Sequence, residues 1–575
     1  MEFHLINFVK ILFTRHYKPL GTVLYVNFDI SKYRIKMKYI SDIKVLLIIV
    51  LLASTSFLAK SQVLSKAVDP GTTYEKFDRL MQLIEYAYVE DVDQPKIVED
   101  AIINVLKELD PHSTYISKKD IEKTNEPLVG NFEGVGIQFQ IFHDTILVVS
   151  PVPGGPSDKL GIRAGDKIIK INGENAFGSK INNQYVLDHL RGPKGTKVTV
   201  GIFRKGTSGL IDYAITRDKI PLNSIDATYM AAPGIGYIKL ARFARTSADE
   251  FRDGVAQLKK EGMKSLILDL RNNSGGYLDI AFELADEFLP SGKMIVYTQG
   301  VRSPKQDFIA TTKGSFEEGK LVVLIDEASA SASEIVSGAI QDWDRGVIMG
   351  RRSFGKGLVQ RPFLLPDSSM IRLTTARYYT PSGRCIQKSY EHGTDEYFSE
   401  VVNRFQHGEM IHADSIKLPD SLRYYTHNKR VVYGGGGIMP DMFIPLDTTF
   451  ASKYYTDIFR KGLLNDYVLQ YVENHRKDLL ASFPDIKNFI TGFKDDDKLM
   501  NEFIDFAASK DVPRDEKGLE ASGKQIRVAL KGLIARNLYN TNAYFEVVGN
   551  SDDDINRAVE VLGNEDMFRK LTMAK

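Results

Sequence analysis

Between Tyr237 and Trp343 the chain alternates short apolar runs with helical patterns, and this alternation constrains its fold most. Tyr237–Phe243 reads as a strand, and Ser247-Ala-Asp-Glu250 reads as a capping box opening a helix to about Lys260. Ser265–Leu270 reads as a buried parallel strand. A helical pattern at 278–288, a second buried strand at 321–326 and a second helix from about Ser333 to Trp343 follow. Such a pattern predicts an α/β core, in which sites lie at the carboxyl ends of strands. Two turns occupy those ends here: Arg271-Asn-Asn-Ser-Gly-Gly276 and the small-residue run Ala328–Ser333.

The second turn carries no bulky side chain, so another backbone can approach it closely. Ser331 stands where strand hands over to helix, and the free N–H groups and dipole there favour a developing negative charge. Taken alone, the segment reads more simply as a serine-rich cap, because Ser329, Ser331 and Ser333 all suit that position. Lys356, flanked by Gly355 and Gly357, reads alone as a surface lysine. Together they suggest chemistry: a lysine amine held in a water-poor pocket can take a serine's proton, with no histidine needed.

Five stretches in one order strengthen that reading: DPHSTYIS at 110–117, DLRNNSGG at 269–276, SASASEI at 329–335, SFGKGLVQ at 353–360 and RLTTARYYTPSGRCIQ at 372–387. Across roughly residues 74–445 the chain resembles the carboxy-terminal processing peptidases, or tail-specific proteases. The resemblance implies a crotonase-like core. It implies Ser331 as nucleophile, Lys356, 25 positions later, as base, and Gln360 as a residue holding the lysine. It also implies an oxyanion hole formed by the Ala332 N–H and by Gly275 or Gly276.

Residues 131–218 resemble a PDZ domain, through FEGVGIQF at 132–139, VVSPVPGGPSDKLGIRAGDKIIKINGE at 148–174 and LRGPKGTKVTVGIFR at 190–204. The implied mechanism is strand addition, with backbone N–H groups holding a terminal carboxylate. The resemblance places the carboxylate loop at Gly134-Val135-Gly136-Ile137 and lines the pocket for the last side chain with Leu187 and Leu190. A short β-barrel with a glycine turn is the plainer reading.

Two alternatives stand beside the dyad. Asn273-Ser274-Gly275-Gly276 resembles the nucleophile segment of trypsin-like proteases, which also need a histidine and a buried aspartate. The upstream histidines are His112, His143 and His189, and none sits in a trypsin-like segment. The other alternative is an idle PDZ scaffold that binds C-termini without cutting.

A chain of 575 residues implies three or four domains. The expected order is an unassigned extension at 1–36, a leader at 37–61, helices at 62–125, the PDZ domain at 126–218, the protease core at 219–447 and a helical domain at 448–575. A polar insertion at 390–430 has no assignment. The net charge of +1 argues against a nucleic-acid partner. There is no Rossmann fingerprint, Walker loop or zinc spacing, and His392, His407, His412 and His427 read as surface residues, so no metal or cofactor is expected. The single Cys385 excludes an intramolecular disulfide.

Met37–Lys44 is a basic segment leading into the apolar Val45–Ala53, and Ala59-Lys60-Ser61 offers a cleavage site before Gln62. The apolar run of about 14 residues falls short of the roughly 20 that span a bilayer. The expectation is therefore a cleaved signal peptide and export to a bacterial periplasm, with an inner-membrane anchor at 45–58 as the alternative. Expected partners are protein or peptide substrates with free C-terminal tails, with an envelope adaptor or a homo-oligomer left open.

Overall fold

The structure is a computed structural model and describes residues 70–142, 144–311, 313–416, 419–494 and 496–573. The leader, its cleavage site and the alternative anchor lie outside the described residues. The chain divides into two units, 1–94 and 95–575. The described part of the first includes the helix Pro70–Ala87.

The second unit is built on a six-stranded sheet. Its order is Ile225–Ala232, Ile235–Leu240, Ser265–Asp269, Leu321–Ile325, Val347–Gly350 and Met442–Phe443. The last five strands are parallel and the first is antiparallel to its neighbour. Strands apolar on both faces need cover on both. Helices Ser247–Lys260, Leu278–Asp286 and Ala332–Asp342 supply it on one side, with Phe251, Leu284 and Val336 packed on Leu266, Leu268 and Val323. Helix Asp553–Gly563 supplies it on the other, laying Ile555, Ala558 and Val561 on Ile267, Val322 and Leu324. Part of the expected C-terminal helical domain is thus a layer of the core.

The expected capping box at Ser247 is not formed. Helix Ser247–Lys260 has Thr246 at its cap, and the Glu250 carboxylate instead accepts from Ser224 N–H and Ile225 N–H at 2.8 and 3.0 Å. It anchors the start of the first sheet strand, and that tertiary demand overrides the local one.

A second sheet centres on the ten-residue strand Met370–Tyr379, which pairs with Thr114–Ile116, Met294–Gly300 and Leu358–Leu364. Residues 390–430 hold the helix Thr394–Gln406, and the strand Arg423–Tyr425 pairs with Val431–Tyr433.

Residues 137–216 form a small antiparallel barrel around Ile146, Val148, Ile168, Val198, Val200 and Ile202. Strand Ile137–Phe142 is its edge, and helix Asn183–Leu190 lies in the same domain, capped by the Asn182 side chain, which accepts from Tyr185 N–H. Past residue 452 the chain is helical, around a core that includes Tyr467, Phe489, Phe503, Ile526, Leu530 and Ile534. Ser452, Asp485, Asp496, Asp515 and Asn540 each cap a helix here by accepting a backbone N–H two or three residues into it, so these helix starts are set by local chemistry. Among the described residues, no helix is long and apolar enough to cross a membrane.

Candidate active site

The two turns named from the sequence meet at the carboxyl ends of neighbouring strands, Ser265–Asp269 and Leu321–Ile325. Three serines occupy the second turn, and their partners separate them. Ser329 is buried and donates to the Leu270 carbonyl at 2.8 Å, while Ser333 is buried and donates to the Asn273 carbonyl at 2.8 Å. Both fasten one turn to the other. Ser331 instead lines a cleft of about 560 Å³, together with Ser274, Gly275, Gly276, Lys356 and Gln360.

Ser331 has φ 55° and ψ −111°, outside the extended region an ordinary cap adopts. A non-glycine residue held there costs about 1–3 kcal/mol, and the surroundings must enforce it. Glu334 does much of this. Its fully buried carboxylate accepts four hydrogen bonds: from Ser331 N–H at 2.8 Å, Lys356 N–H at 2.9 Å, Gly355 N–H at 2.7 Å and Ser353 Oγ at 2.5 Å. Burial pushes its pKa up to about 7 against the pull of these donors. Tyr378 makes the complementary link, its hydroxyl lying 2.5 Å from the Lys356 carbonyl and 3.2 Å from that of Ser331. The backbones of Ser331 and Lys356 are therefore tied through both their N–H and C=O groups.

Gly275 packs against this turn. A Cβ there would lie 2.8 Å from the Ala330 carbonyl oxygen and 2.9 Å from Ser331 Cβ, at a φ of 103° that L-residues avoid. Its N–H is taken by Asn273 Oδ1 at 2.9 Å. Gly276 forms a parallel bridge with Phe243, in which the bonds run Phe243 N–H to Gly275 O and Tyr277 N–H to Phe243 O. That pattern turns the Gly276 N–H away from Phe243. Among the described residues, the N–H groups of Gly276 and Ala332 have no hydrogen-bond partner.

The Lys356 amine is driven below the ordinary lysine pKa by burial, with Glu334 opposing and the Arg372 charge adding to the shift. No hydrogen bond joins its Nζ to Ser331 Oγ in this structure. Gln360 donates to Thr374 Oγ1 at 3.2 Å, and Thr374 donates in turn to Asp110 Oδ1 at 3.0 Å. His112 is near enough to feel the lysine's charge: burial and Lys356 together push its pKa down to about 3 and hold it neutral.

The Ser–His–Asp geometry of the trypsin-like alternative is not formed among the described residues. His112 hydrogen-bonds Tyr397, His189 hydrogen-bonds the Tyr185 carbonyl, and His143 lies outside the described residues. Cys385 is outside the cleft, with its thiol pKa raised by burial.

A second cavity of about 310 Å³ lies in the small barrel, lined by Val135, Gly136, Ile137, Leu187 and Leu190. Phe132, Val186 and Arg191 join them, unforeseen from the sequence. Gly134 is not in the lining: it closes strand Asn131–Gly134 and pairs with Asp218. Gly136 has φ 74°, and a Cβ there would meet Ile220 Cδ1 at 2.9 Å.

Comparison with known proteins follows the same division. Residues 234–395 match the model of peptidase family S41, and residues 147–204 match that of the PDZ domain. The chain is 35% identical over 339 residues to a carboxy-terminal-processing protease of Bartonella bacilliformis, covering 58% of this chain and 77% of that one. This chain belongs to the carboxy-terminal processing proteases of peptidase family S41. The family resemblance extends to the carboxy-terminal processing protease CtpA of Bacillus subtilis, 34% identical over 340 residues, with 58% of this chain and 72% of that one covered. Among solved structures, a photosystem II D1 C-terminal processing protease is similar at 31% identity, over 52% of this chain and 82% of that one, with a TM-score of 0.32. Residues 51–120 match the N-terminal domain of the activating protease CtpB, and residues 454–540 match a family of unknown function.

Proposed function

We propose that the protein is an exported serine endopeptidase in which Ser331 and Lys356 form the catalytic dyad and the PDZ domain docks the free C-terminal tail of a protein substrate. The observation that carries the reading is the double tie of the two backbones by Glu334 and Tyr378, beside a lysine whose amine is desolvated. A neutral amine is what a general base must offer, and burial shifts Lys356 towards that form.

In this mechanism Ser331 Oγ attacks the scissile carbonyl while its proton passes to Lys356 Nζ. The Gly276 and Ala332 N–H groups take the oxyanion, since both are unpaired among the described residues, whereas that of Gly275 is spent on Asn273. Collapse breaks the C–N bond, and the Lys356 ammonium returns the proton to the leaving amine. The neutral lysine then takes a proton from water, which attacks the acyl ester; the bond between the acyl carbon and Ser331 Oγ breaks, the ammonium returns the proton to Oγ, and the new C-terminus leaves. Gln360, tied through Thr374 to Asp110, fixes the wall of the cleft near the lysine.

Export rests on the leader pattern at 37–61, and N-terminal sequencing of the secreted fraction tests it: a start at Gln62 supports cleavage, and an intact Lys44 contradicts it. Tail docking is tested with an unstructured protein substrate whose apolar C-terminus is either free or extended by charged residues. Faster cutting of the free form supports the reading, and equal rates contradict it.

A further inference from the structure

Beyond the tail pocket, the edge strand Ile137–Phe142 is laddered among the described residues to Thr145–Pro151 alone, which leaves the other side of Ile137–Ile141 without a partner strand. A cavity of about 800 Å³ runs along that strand from Gln138 to Ile141. It shares Gln138 and Phe139 with the smaller tail pocket, so the two border the same stretch of strand. Its far wall is the C-terminal helical domain, through Ile458 and Phe459 of helix Lys453–Arg460, Leu533 and Arg536 of helix Glu516–Leu538, and Tyr544. Its volume lies within the range of ligand-binding clefts.

Three features of that wall suit a polypeptide chain. Phe459 is 71% exposed and lines the cavity, so a large apolar ring is open to contact there. Arg536 is anchored by an Nη2 bond to Asn465 Oδ1 at 3.0 Å, while its buried Nε–H has no acceptor among the described residues. Arg536 itself is only partly buried and lines the cavity, so the outer edge of its guanidinium borders the space a substrate main chain would occupy. The PDZ edge is also fixed to this domain: Phe142 and Leu147 pack on Leu469, and Lys167 pairs with Glu473 at 3.4 Å. The two walls of the groove are therefore fixed to each other.

We propose that the C-terminal helical domain forms the second wall of the substrate groove, and that the cavity receives the extended residues just upstream of the docked C-terminus. This rests on the reading of the barrel as a tail-docking domain. In strand addition the incoming chain runs antiparallel to the edge strand, so the residues before its last few lie opposite Phe139 to Ile141. The five residues Ile137–Ile141 span about 16 Å at roughly 3.3 Å per residue, enough to pair with a comparable length of substrate. The Arg536 guanidinium donates to a main-chain carbonyl, and Phe459 covers an apolar side chain. Both contacts are tolerant of sequence, so the wall selects for an unfolded tail rather than for a motif.

The test uses full-length protein carrying Ser331→Ala to prevent cutting. Fluorescent peptides of about four and about ten residues share the same apolar, free C-terminal end, and binding is read by anisotropy. The expected result is about tenfold tighter binding of the longer peptide. In Phe459→Ala and in Arg536→Gln, that gain falls about threefold or more while the shorter peptide binds unchanged, which also certifies the fold of each variant. Equal affinity for both lengths overturns the second wall and leaves tail docking intact. A length gain that neither variant reduces also overturns it, assigning the gain to the PDZ edge alone. A concentration-dependent rise in mass without a length gain assigns the cavity to a second copy of the chain and overturns it too. Failure of both peptides to bind removes tail docking itself, and this inference with it.

Discussion

The Glu334 carboxylate accepts the Lys356 N–H at 2.9 Å through the same oxygen, Oε2, that accepts the Ser331 N–H at 2.8 Å. One oxygen thus fixes the relative position of the two residues assigned to the reaction. Replacing Glu334 by Gln puts an NH2 group where at least two donors now point. The expected outcome is an activity loss of about 10²-fold or more and destabilisation of about 1–3 kcal/mol. Steady-state kinetics alongside urea melts check both. Full activity in Glu334→Gln removes the positioning role.

The titration of this pair gives a pH dependence. Lys356 must be neutral to act, and its pKa is lowered by burial. Activity therefore rises with pH through the depressed lysine value and falls in acid. Stability follows the same sign: below its unfolded pKa the unfolded state binds the lysine proton more readily than the native state, so burial of Lys356 costs stability at neutral pH and ceases to do so in strong base. Lys356→Met is expected to abolish cleavage while raising stability by roughly 0.5–2 kcal/mol at neutral pH. Thermal melts across pH check this, and a less stable Lys356→Met contradicts it.

Glu334 has the opposite slope. Its folded pKa of about 7 lies above the value of 4.5 for a free carboxyl, so the native state binds more protons between the two. Its contribution to stability is full below pH 4.5 and is lost as pH rises through 7. The difference in stability between wild type and Glu334→Gln should therefore change across that window, and a difference that stays flat contradicts the assigned pKa.

Gly275 is read as a packing residue. Gly275→Ala places a methyl group 2.8–2.9 Å from the Ala330 carbonyl and Ser331 Cβ and forces an unfavourable φ. Displacement of the Ser331 turn is expected to cut kcat by about 10²-fold or more with little change in tail-peptide affinity. Matched losses in kcat and peptide binding point instead to global unfolding.

The serines of the small-residue turn separate by partner. Ser329→Ala and Ser333→Ala each remove a buried bond to the neighbouring turn and are expected to cost about 1–3 kcal/mol of stability while retaining measurable cleavage. Chemical denaturation with a cleavage assay distinguishes them from Ser331→Ala, whose stability should be near wild type.

Much of this arrangement was legible in the sequence because it is local. Ser265–Leu270 and Leu321–Asp326 are apolar on both faces and could only be central strands, and the turns after them carry the residues the cleft gathers. The helical character of the C-terminal region was legible as well, although its caps, such as Asp485 and Asp515, emerge only in the structure. What escaped depends on distant pairing. Glu334 looks like an ordinary first-turn acid until Gly355 and Lys356 arrive at its carboxylate. Glu250 mimics a capping box but is recruited by Ser224. Helix Asp553–Gly563 has a plain amphipathic pattern, and nothing in it says that its apolar face belongs on Ile267 and Val322. The preference for Gly276 over Gly275 in the proposed oxyanion hole rests on the single acceptor Asn273 Oδ1, a conformational detail no spacing encodes.

The central claim is that Ser331 and Lys356 cut peptide bonds together. The most direct test is cleavage of an unstructured protein with a free apolar C-terminus by residues 62–575, as wild type, Ser331→Ala and Lys356→Ala. The account predicts cutting by the wild type and a loss of about 10³-fold or more in each variant, with tail-peptide binding retained in both. Cleavage that survives either substitution, or is lost on Ser274→Ala while Ser331→Ala still cuts, contradicts it.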